Sequence, residues 1–252
     1  MTVFRVHSKN GEIYNPAYPR RDVMGLLAKQ IEQFSNPPRI SIQLPAHHQA
    51  TPFVLEPKDK NTLVIDFRWL GYATGLRALP DMQAPYDKAG LEAGGLAYLI
   101  NQLRIISPDS PVDVVAHRLG ARVAIMAVKI ARSKMWRRLL LSNALEYSAR
   151  TLAALDCPMG AHLACYNIVA NNHSLTPFLF DRFGPKPGPL DRAICYGYKF
   201  PHSNWVEIAE HSPEAAELML EMGANTIAFA TRSKRMVLQS TYHSLFKNLT
   251  FQ

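Results

Sequence analysis

The stretch VDVVAHRLGARVAIMAV, residues 112–128, decides the fold of this chain. It begins as an apolar strand, passes through a short turn and continues as an apolar helix. The turn reads Ala116-His117-Arg118-Leu119-Gly120, with a small residue at each end, as a sharp turn packed against neighbouring backbone requires. A strand that leads directly into a helix is the repeating unit of α/β folds, and the stretch predicts one such unit.

Apolar strands and amphipathic helices alternate on both sides of this stretch. The strands are continuous apolar runs, which is typical of strands buried on both faces of a parallel sheet. We therefore expect a single α/β domain over residues 1–252, with a mostly parallel, doubly wound sheet flanked by helices. Residues 195–210 carry no clear pattern. Strands are predicted at 3–7, 62–67, 112–116, 138–142 and 162–170, and helices at 22–34, 91–106, 121–132, 148–155 and 212–222.

The composition is that of a globular protein, with 48% hydrophobic residues and a formal net charge of +8. No apolar run approaches the roughly 20 residues that cross a bilayer, and the N-terminus carries no secretory signal pattern. The three cysteines have no metal-ligand spacing, so we predict free thiols and no metal site. Without a Gly-rich phosphate loop, no nucleotide cofactor is predicted. The expected location is the cytoplasm, either free or at the edge of a larger complex or the inner membrane face.

Five basic residues lie at the end of the helix that begins in the turn and directly after it. Such a cluster favours an acidic protein partner or an anionic membrane surface, with a solvated helix end as the alternative. Nucleic-acid binding is disfavoured because neither zinc-finger spacing nor an RNP-type aromatic pattern accompanies the charge. The cluster comprises Lys129, Arg132, Lys134, Arg137 and Arg138.

The turn at 116–120 resembles the nucleophile elbow of α/β-hydrolases, which reads G-x-S-x-G with small residues tolerated at its ends. The chain is similar to bacterial α/β-hydrolases of the serine esterase and lipase-like type, whose elbow commonly reads A-H-S-L-G-A-R-V-A. Residues 116–124 match that pattern except at Arg118. The resemblance implies an α/β-hydrolase fold, a catalytic serine at the position of Arg118, and an oxyanion hole that uses the backbone N–H of Leu119.

The resemblance also implies where the other catalytic groups would lie, and several of these positions depart from the family pattern. His7 and Ser8 align with the His-Gly of the oxyanion loop, so that serine replaces glycine. Ser174 aligns with the acid, and the base aligns with Gln239 or His243. Several departures together imply a chain that has lost hydrolase chemistry.

Two further residues keep alternatives open. Glu146 follows the strand at 138–142 and is a candidate acid for His243, with a structural polar contact as the alternative. Ser142 is a candidate for a displaced nucleophile, although no elbow pattern surrounds it.

Arg118 carries most of the functional prediction. Arginine stays protonated and has no proton to give to a histidine, so it does not serve as an acyl-transfer nucleophile. Together with Arg68, which ends a strand at the same sheet edge, it could bind a carboxylate or phosphate. Alternatively, it pairs with an acid and fills an obsolete pocket. We favour a non-catalytic homologue acting as a protein-binding or assembly subunit over two alternatives, a hydrolase with a displaced or substituted nucleophile and a small-anion sensor.

Overall fold

The computed structural model describes residues 3–7, 13–14, 20–44, 61–68, 82–169, 175–210 and 212–222. Its strands are β1 (Val3–His7), β2 (Ile13–Tyr14), β3 (Arg39–Leu44), β4 (Thr62–Arg68), β5 (Val112–His117), β6 (Trp136–Ser142), β7 (Ala164–Val169) and β8 (Trp205–Ala209). They form one eight-stranded sheet in the order β2-β1-β4-β3-β5-β6-β7-β8. Six neighbouring strands of this sheet are parallel to one another, in the order β4-β3-β5-β6-β7-β8. β1 runs antiparallel to both of its neighbours, β4 and β2.

The helices are α1 (Arg20–Ile31), α2 (Gln83–Ile106), α3 (Leu119–Val128), α4 (Ser148–Leu155), α5 (Leu175–Phe183) and α6 (Pro213–Glu221). The predicted start of α6 is confirmed, because the Ser212 hydroxyl accepts a hydrogen bond from the N–H of Ala215 at 3.1 Å and Pro213 is the first helical residue. None of the helices in these ranges combines the length and apolarity that a bilayer crossing requires.

Alternation along the strands places the core on both faces of the sheet. Val112, Val114 and Ala116 of β5 belong to the larger core cluster, which also contains the buried faces of α2, α3 and α4. Val115, between them in sequence, packs on the other face with α6, through Met219 among others. Successive strand residues point to opposite faces, so β5 is buried on both sides. The predicted α/β class with helices flanking a mostly parallel sheet is confirmed.

Four elements were not predicted, namely β2, β3, β8 and α5, and α2 begins at Gln83 rather than at 91. β3 alternates polar and apolar residues in RISIQL, whereas the prediction relied on continuous apolar runs. β8 lies within residues 195–210, where the sequence carries no clear pattern. β3 matters most for the site because it lies directly between β4 and β5.

Candidate functional site

The turn between β5 and α3 consists of Arg118 alone. Its backbone has φ 52° and ψ −119°, in the left-handed half of conformational space. Hydrogen bonds fix this shape: the Arg118 N–H donates to the Ser142 carbonyl at 3.0 Å, and the Arg118 carbonyl accepts from the N–H groups of Ala121 at 3.0 Å and Leu145 at 3.1 Å. A positive φ costs a residue with a side chain about 1–3 kcal/mol, and it persists only where the surroundings impose it. The predicted strand, sharp turn and helix are therefore confirmed.

This turn places Arg118 at the carboxyl edge of the parallel strands and at the amino end of α3. The side chain is half-buried, and Arg118 caps the amino end of the ten-residue helix α3, which is the positive end of the helix dipole. Leu119, the first residue of α3, is buried at 2% exposure, while its position in the chain is the one that the resemblance assigned to the oxyanion hole. An arginine here attracts anions electrostatically and has no nucleophilic lone pair to offer.

A row of polar side chains lies at the carboxyl ends of β5, β6 and β8, at the same edge of the sheet. The His117 Nδ1 lies 3.3 Å from the Ser142 Oγ, and the Asn143 Nδ2 donates to the Glu210 Oε1 at 2.9 Å. Asn143 is, with Arg118, one of two non-glycine residues of positive φ in the described ranges. Ser142 is only 1% exposed, so its hydroxyl is closed to substrate in this structure. Sequence reasoning missed Asn143 and Glu210; a signal for the first was asparagine's tolerance of the left-handed region directly after a strand.

The strain at Arg118 predicts the order of two substitutions at this helix boundary. We expect Arg118→Gly to be more stable than Arg118→Ala by about 1 kcal/mol, because both remove the same side chain but only glycine adopts the positive φ without cost. Urea unfolding of the two variants measures the difference. Equal stabilities, or a more stable alanine variant, would show that the turn does not hold this conformation in solution.

Beneath the turn, Glu146 is the centre of a buried ionic cluster. Its Oε2 accepts a hydrogen bond from the Arg122 Nη1 at 2.9 Å, and its Oε1 accepts from the Tyr86 hydroxyl and from the Tyr147 N–H, the latter at 2.8 Å. Arg122 also donates from its Nε to the Tyr86 carbonyl at 2.6 Å and lies 3.5 Å above the Tyr86 ring. Arg150 donates to the Tyr86 hydroxyl oxygen. Both carboxylate oxygens are thus used within the protein.

The cluster joins four elements around the turn. Tyr86 comes from α2, Arg122 from α3, Glu146 from the segment after β6 and Arg150 from α4. Burial, followed by the charge of Glu146 and the hydrogen bond to it, raises the pKa of Tyr86 far above its ordinary value, so its hydroxyl remains a donor. Glu146 is 0% exposed, and these contacts support the structural alternative for it rather than the role of a catalytic acid.

The structure does not bring His7, which the resemblance aligns with the oxyanion loop, close to the turn. His7 is the last residue of β1, where it pairs with Val64 near the amino end of β4, and β1 runs antiparallel to β4. The carboxyl end of β1 therefore points away from the sheet edge that carries Arg118, and β4 and β3 separate β1 from β5. Arg68 ends β4 at the same edge as Arg118, two strand positions away. Outside the described residues lie four other predicted positions, Ser8, Ser174, Gln239 and His243.

The predicted basic cluster lies between α3 and β6, at the amino edge of the sheet and opposite Arg118. Arg138 does not belong to its exposed surface. It donates to both carboxylate oxygens of buried Asp113, at 3.0 and 2.6 Å, and to the Glu221 Oε1 at 2.6 Å. These charge-assisted bonds tie the end of α6 to β5 and β6, and they raise the pKa of Arg138 above its ordinary value. The four remaining members, Lys129, Arg132, Lys134 and Arg137, are exposed.

The residues in the described ranges show no group of three or more His, Cys, Asp or Glu side chains that could hold a metal ion. Cys157, Cys165 and Cys195 are free thiols, and burial raises the pKa of Cys165 and of Cys195 to about 12. The site is thus a cationic turn at the edge of a parallel sheet, beside a buried polar row and above an ionic cluster. In comparisons with known proteins, no family model, no curated protein and no solved structure matches the chain.

Proposed function

We propose that this chain is a catalytically degenerate α/β-hydrolase-fold protein, a pseudoenzyme that acts as a protein-binding or assembly subunit in the cytoplasm. One observation carries the proposal. Arg118 occupies the strained strand-to-helix turn, with φ 52° and ψ −119°, where a hydrolase of this fold would present its nucleophile.

The residues around the turn support the proposal that the chain has kept the shape of the turn and has lost the acyl-transfer reaction. The turn keeps a conformation that is costly for arginine, and Glu146 and Arg122 anchor α3 beneath it. Acyl transfer needs a side chain that gives its proton to a base, and arginine does not do this. The nearest serine hydroxyl along β6, that of Ser142, is buried. A shape maintained without its nucleophile is consistent with selection for binding.

The exposed basic cluster supplies a surface for that binding. Lys129, Arg132, Lys134 and Arg137 lie at the sheet edge opposite Arg118, so a partner can bind there without entering the former active site. Their charge favours an acidic protein surface, and it raises the rate of encounter at low salt.

A fluorophosphonate probe, which reacts with activated serines, tests the loss of catalysis. We expect no mass increase when the unaltered protein is exposed to the probe, because Arg118 offers no nucleophile. Arg118→Ser and Arg118→Ala are tested alongside, and labelling of the serine variant alone would show that the remaining machinery is intact. Labelling of the unaltered protein would contradict the proposal, and peptide mapping would then locate an active serine.

Co-purification of a partner from the native host tests the proposed binding role separately from catalysis. Reversing the charge at Arg132 and Arg137 should abolish co-purification of a partner from the native host, while the paired residue Arg138 is left unchanged to preserve the fold. An unaltered set of co-purifying proteins would count against the basic cluster as the binding surface.

A further inference from the structure

The outer face of α2 carries an exposed apolar stripe. Leu91 is 83% exposed, Tyr98 is 42% exposed and Ile105 is 74% exposed. They are seven residues apart, close to two helical turns, so they lie in one line along the helix. The opposite face is fully used by the core, and it carries Pro85, Tyr86, Ala89, Ala93, Leu96, Ala97, Leu99, Ile100 and Leu103.

The stripe is symmetric about Tyr98. One heptad before it lies Leu91, and one heptad after it lies Ile105. Four other residues lie on this face between Leu91 and Ile105. The two between Leu91 and Tyr98 are glycines, and the two between Tyr98 and Ile105 have longer polar side chains. These four residues are Gly94, Gly95, Asn101 and Gln102. None of the residues of the stripe or between its members on this face is charged.

We propose that this stripe is an interface between two copies of the chain, with the two α2 helices packed antiparallel across a two-fold axis near Tyr98. A two-fold axis pairs a surface with itself, so a stripe symmetric about one residue is self-complementary. Leu91 of one copy then packs against Ile105 of the other, and the Tyr98 side chains meet at the axis. The antiparallel direction also aligns the two helix dipoles favourably.

The glycines and the longer residues fit the same arrangement. Residues 94 and 101 lie on one side of the stripe, and residues 95 and 102 lie on the other, so antiparallel pairing about Tyr98 brings Gly94 beside Asn101 and Gly95 beside Gln102. Gly94 is open to the outside, since a Cβ built there meets no atom within 4 Å. Each glycine of one copy therefore faces a longer polar side chain of the other, as facing large and small residues do in packed cores.

The exposed area approaches what a dimer needs. With side chains of roughly 200 Å² each, the exposed fractions of the three apolar residues amount to on the order of 400 Å² per copy. A stable interface buries about 800 Å² per partner, of which somewhat more than half is apolar. The three residues supply most of that apolar part, and the polar residues beside them along α2, a helix about 36 Å long, supply the rim.

Salt dependence separates a second copy from other occupants. Each chain carries a formal net charge of +8, so two copies repel one another. We expect the dimer to tighten as ionic strength rises, because salt screens this repulsion. Binding of an acidic protein or an anionic lipid surface would weaken with salt instead.

Sedimentation velocity of the full chain tests the proposal. The expected mass is twice 28.3 kDa at micromolar concentration, and it should fall to the monomer value for Leu91→Asp and for Tyr98→Asp. Leu190→Asp is the matched control, since Leu190 is 92% exposed in a different part of the chain and its change should leave the dimer intact. Circular dichroism of each variant shows that loss of the dimer is not loss of the fold.

Cysteine pairs test the antiparallel register. A mixture of the Leu91→Cys and Ile105→Cys variants should form a disulfide-linked dimer on mild oxidation. Either variant alone should not, because its two new cysteines would lie about 21 Å apart in this arrangement. The unaltered chain, with its three free thiols, measures the background.

Three outcomes would overturn the proposal. The first is a monomer at all concentrations up to about 100 µM, far above the Kd of specific interfaces of this size. The second is a dimer that Leu91→Asp and Tyr98→Asp leave intact, and the third is equal cross-linking of the mixed and single cysteine variants. If the monomer floats with phosphatidylserine vesicles and Leu91→Asp abolishes this, a membrane surface rather than a second copy covers the stripe.

Discussion

Replacing Glu146 with alanine is expected to lower the free energy of unfolding by about 3–5 kcal/mol, because removing one member of a buried ion pair leaves an uncompensated charge. The change strands Arg122, whose side chain is 7% exposed and whose Nη1 bonds to Glu146 at 2.9 Å. It also removes the acceptor of the Tyr86 hydroxyl and of the Tyr147 N–H. Urea unfolding followed by circular dichroism measures the loss.

The paired variant makes this prediction specific. Replacing both residues, as Glu146→Leu with Arg122→Met, removes the two charges together, so the loss should be much smaller than for Glu146→Ala alone. With the single variants Glu146→Leu and Arg122→Met measured alongside, a double-mutant cycle gives the coupling between the two sites. If Glu146→Ala costs less than about 1 kcal/mol, the carboxylate is not buried in an ion pair in solution. Retained stability would then reopen Glu146 as a candidate catalytic acid.

Replacing Gly160 with alanine is expected to cost about 3 kcal/mol, at the upper end of the range for overpacking. A Cβ at this position would overlap the carbonyl oxygen of Ala154 and would lie 2.8 Å from the Cα of Leu155. These are backbone atoms at the end of α4, so no side chain can rotate away to make room. The Gly160 carbonyl also accepts a hydrogen bond from the Asn204 Nδ2 at 2.7 Å, which limits movement of the glycine itself.

Gly25→Ala is the matched control for this substitution. A Cβ at Gly25 meets no atom within 4 Å, and the residue lies in α1. There the same change should raise stability by about 0.5–1 kcal/mol, since alanine loses less backbone entropy in a helix. Thermal unfolding of both variants tests whether Gly160→Ala lowers the stability of the protein while Gly25→Ala raises it. A Gly160→Ala variant as stable as the unaltered protein would show that the approach of this glycine to α4 is looser than the structure indicates.

Local sequence determined the part of the site that lies within one continuous stretch. A buried strand, a single turn residue and an apolar helix follow one another in residues 112–128, so periodicity and small flanking residues were enough to predict the turn at Arg118. The chemical consequence also came from the sequence, because the charge of arginine does not depend on its surroundings.

Strand order was decided by the tertiary structure alone. The alternating RISIQL of β3 forms a strand only because its apolar side chains Ile40 and Ile42 find the core and it pairs with β4 and β5. The resemblance aligned His7 with the oxyanion loop, whereas in the structure β1 runs antiparallel to β4 and ends at the sheet edge opposite Arg118. The residues of a strand do not by themselves determine its direction in the sheet or its neighbouring strands, since both depend on long-range pairing.

The partners of buried charges likewise came only from the structure. Glu146 and Arg122 are 24 residues apart, and Arg138 and Asp113 are 25 apart, yet each pair is held within hydrogen-bonding distance by the packing of helices and strands. The sequence by itself determined that an arginine occupies the turn of a strand–turn–helix unit. Tertiary packing decided which charges are paired and which are exposed, because a charge is buried only where another part of the fold brings it a partner.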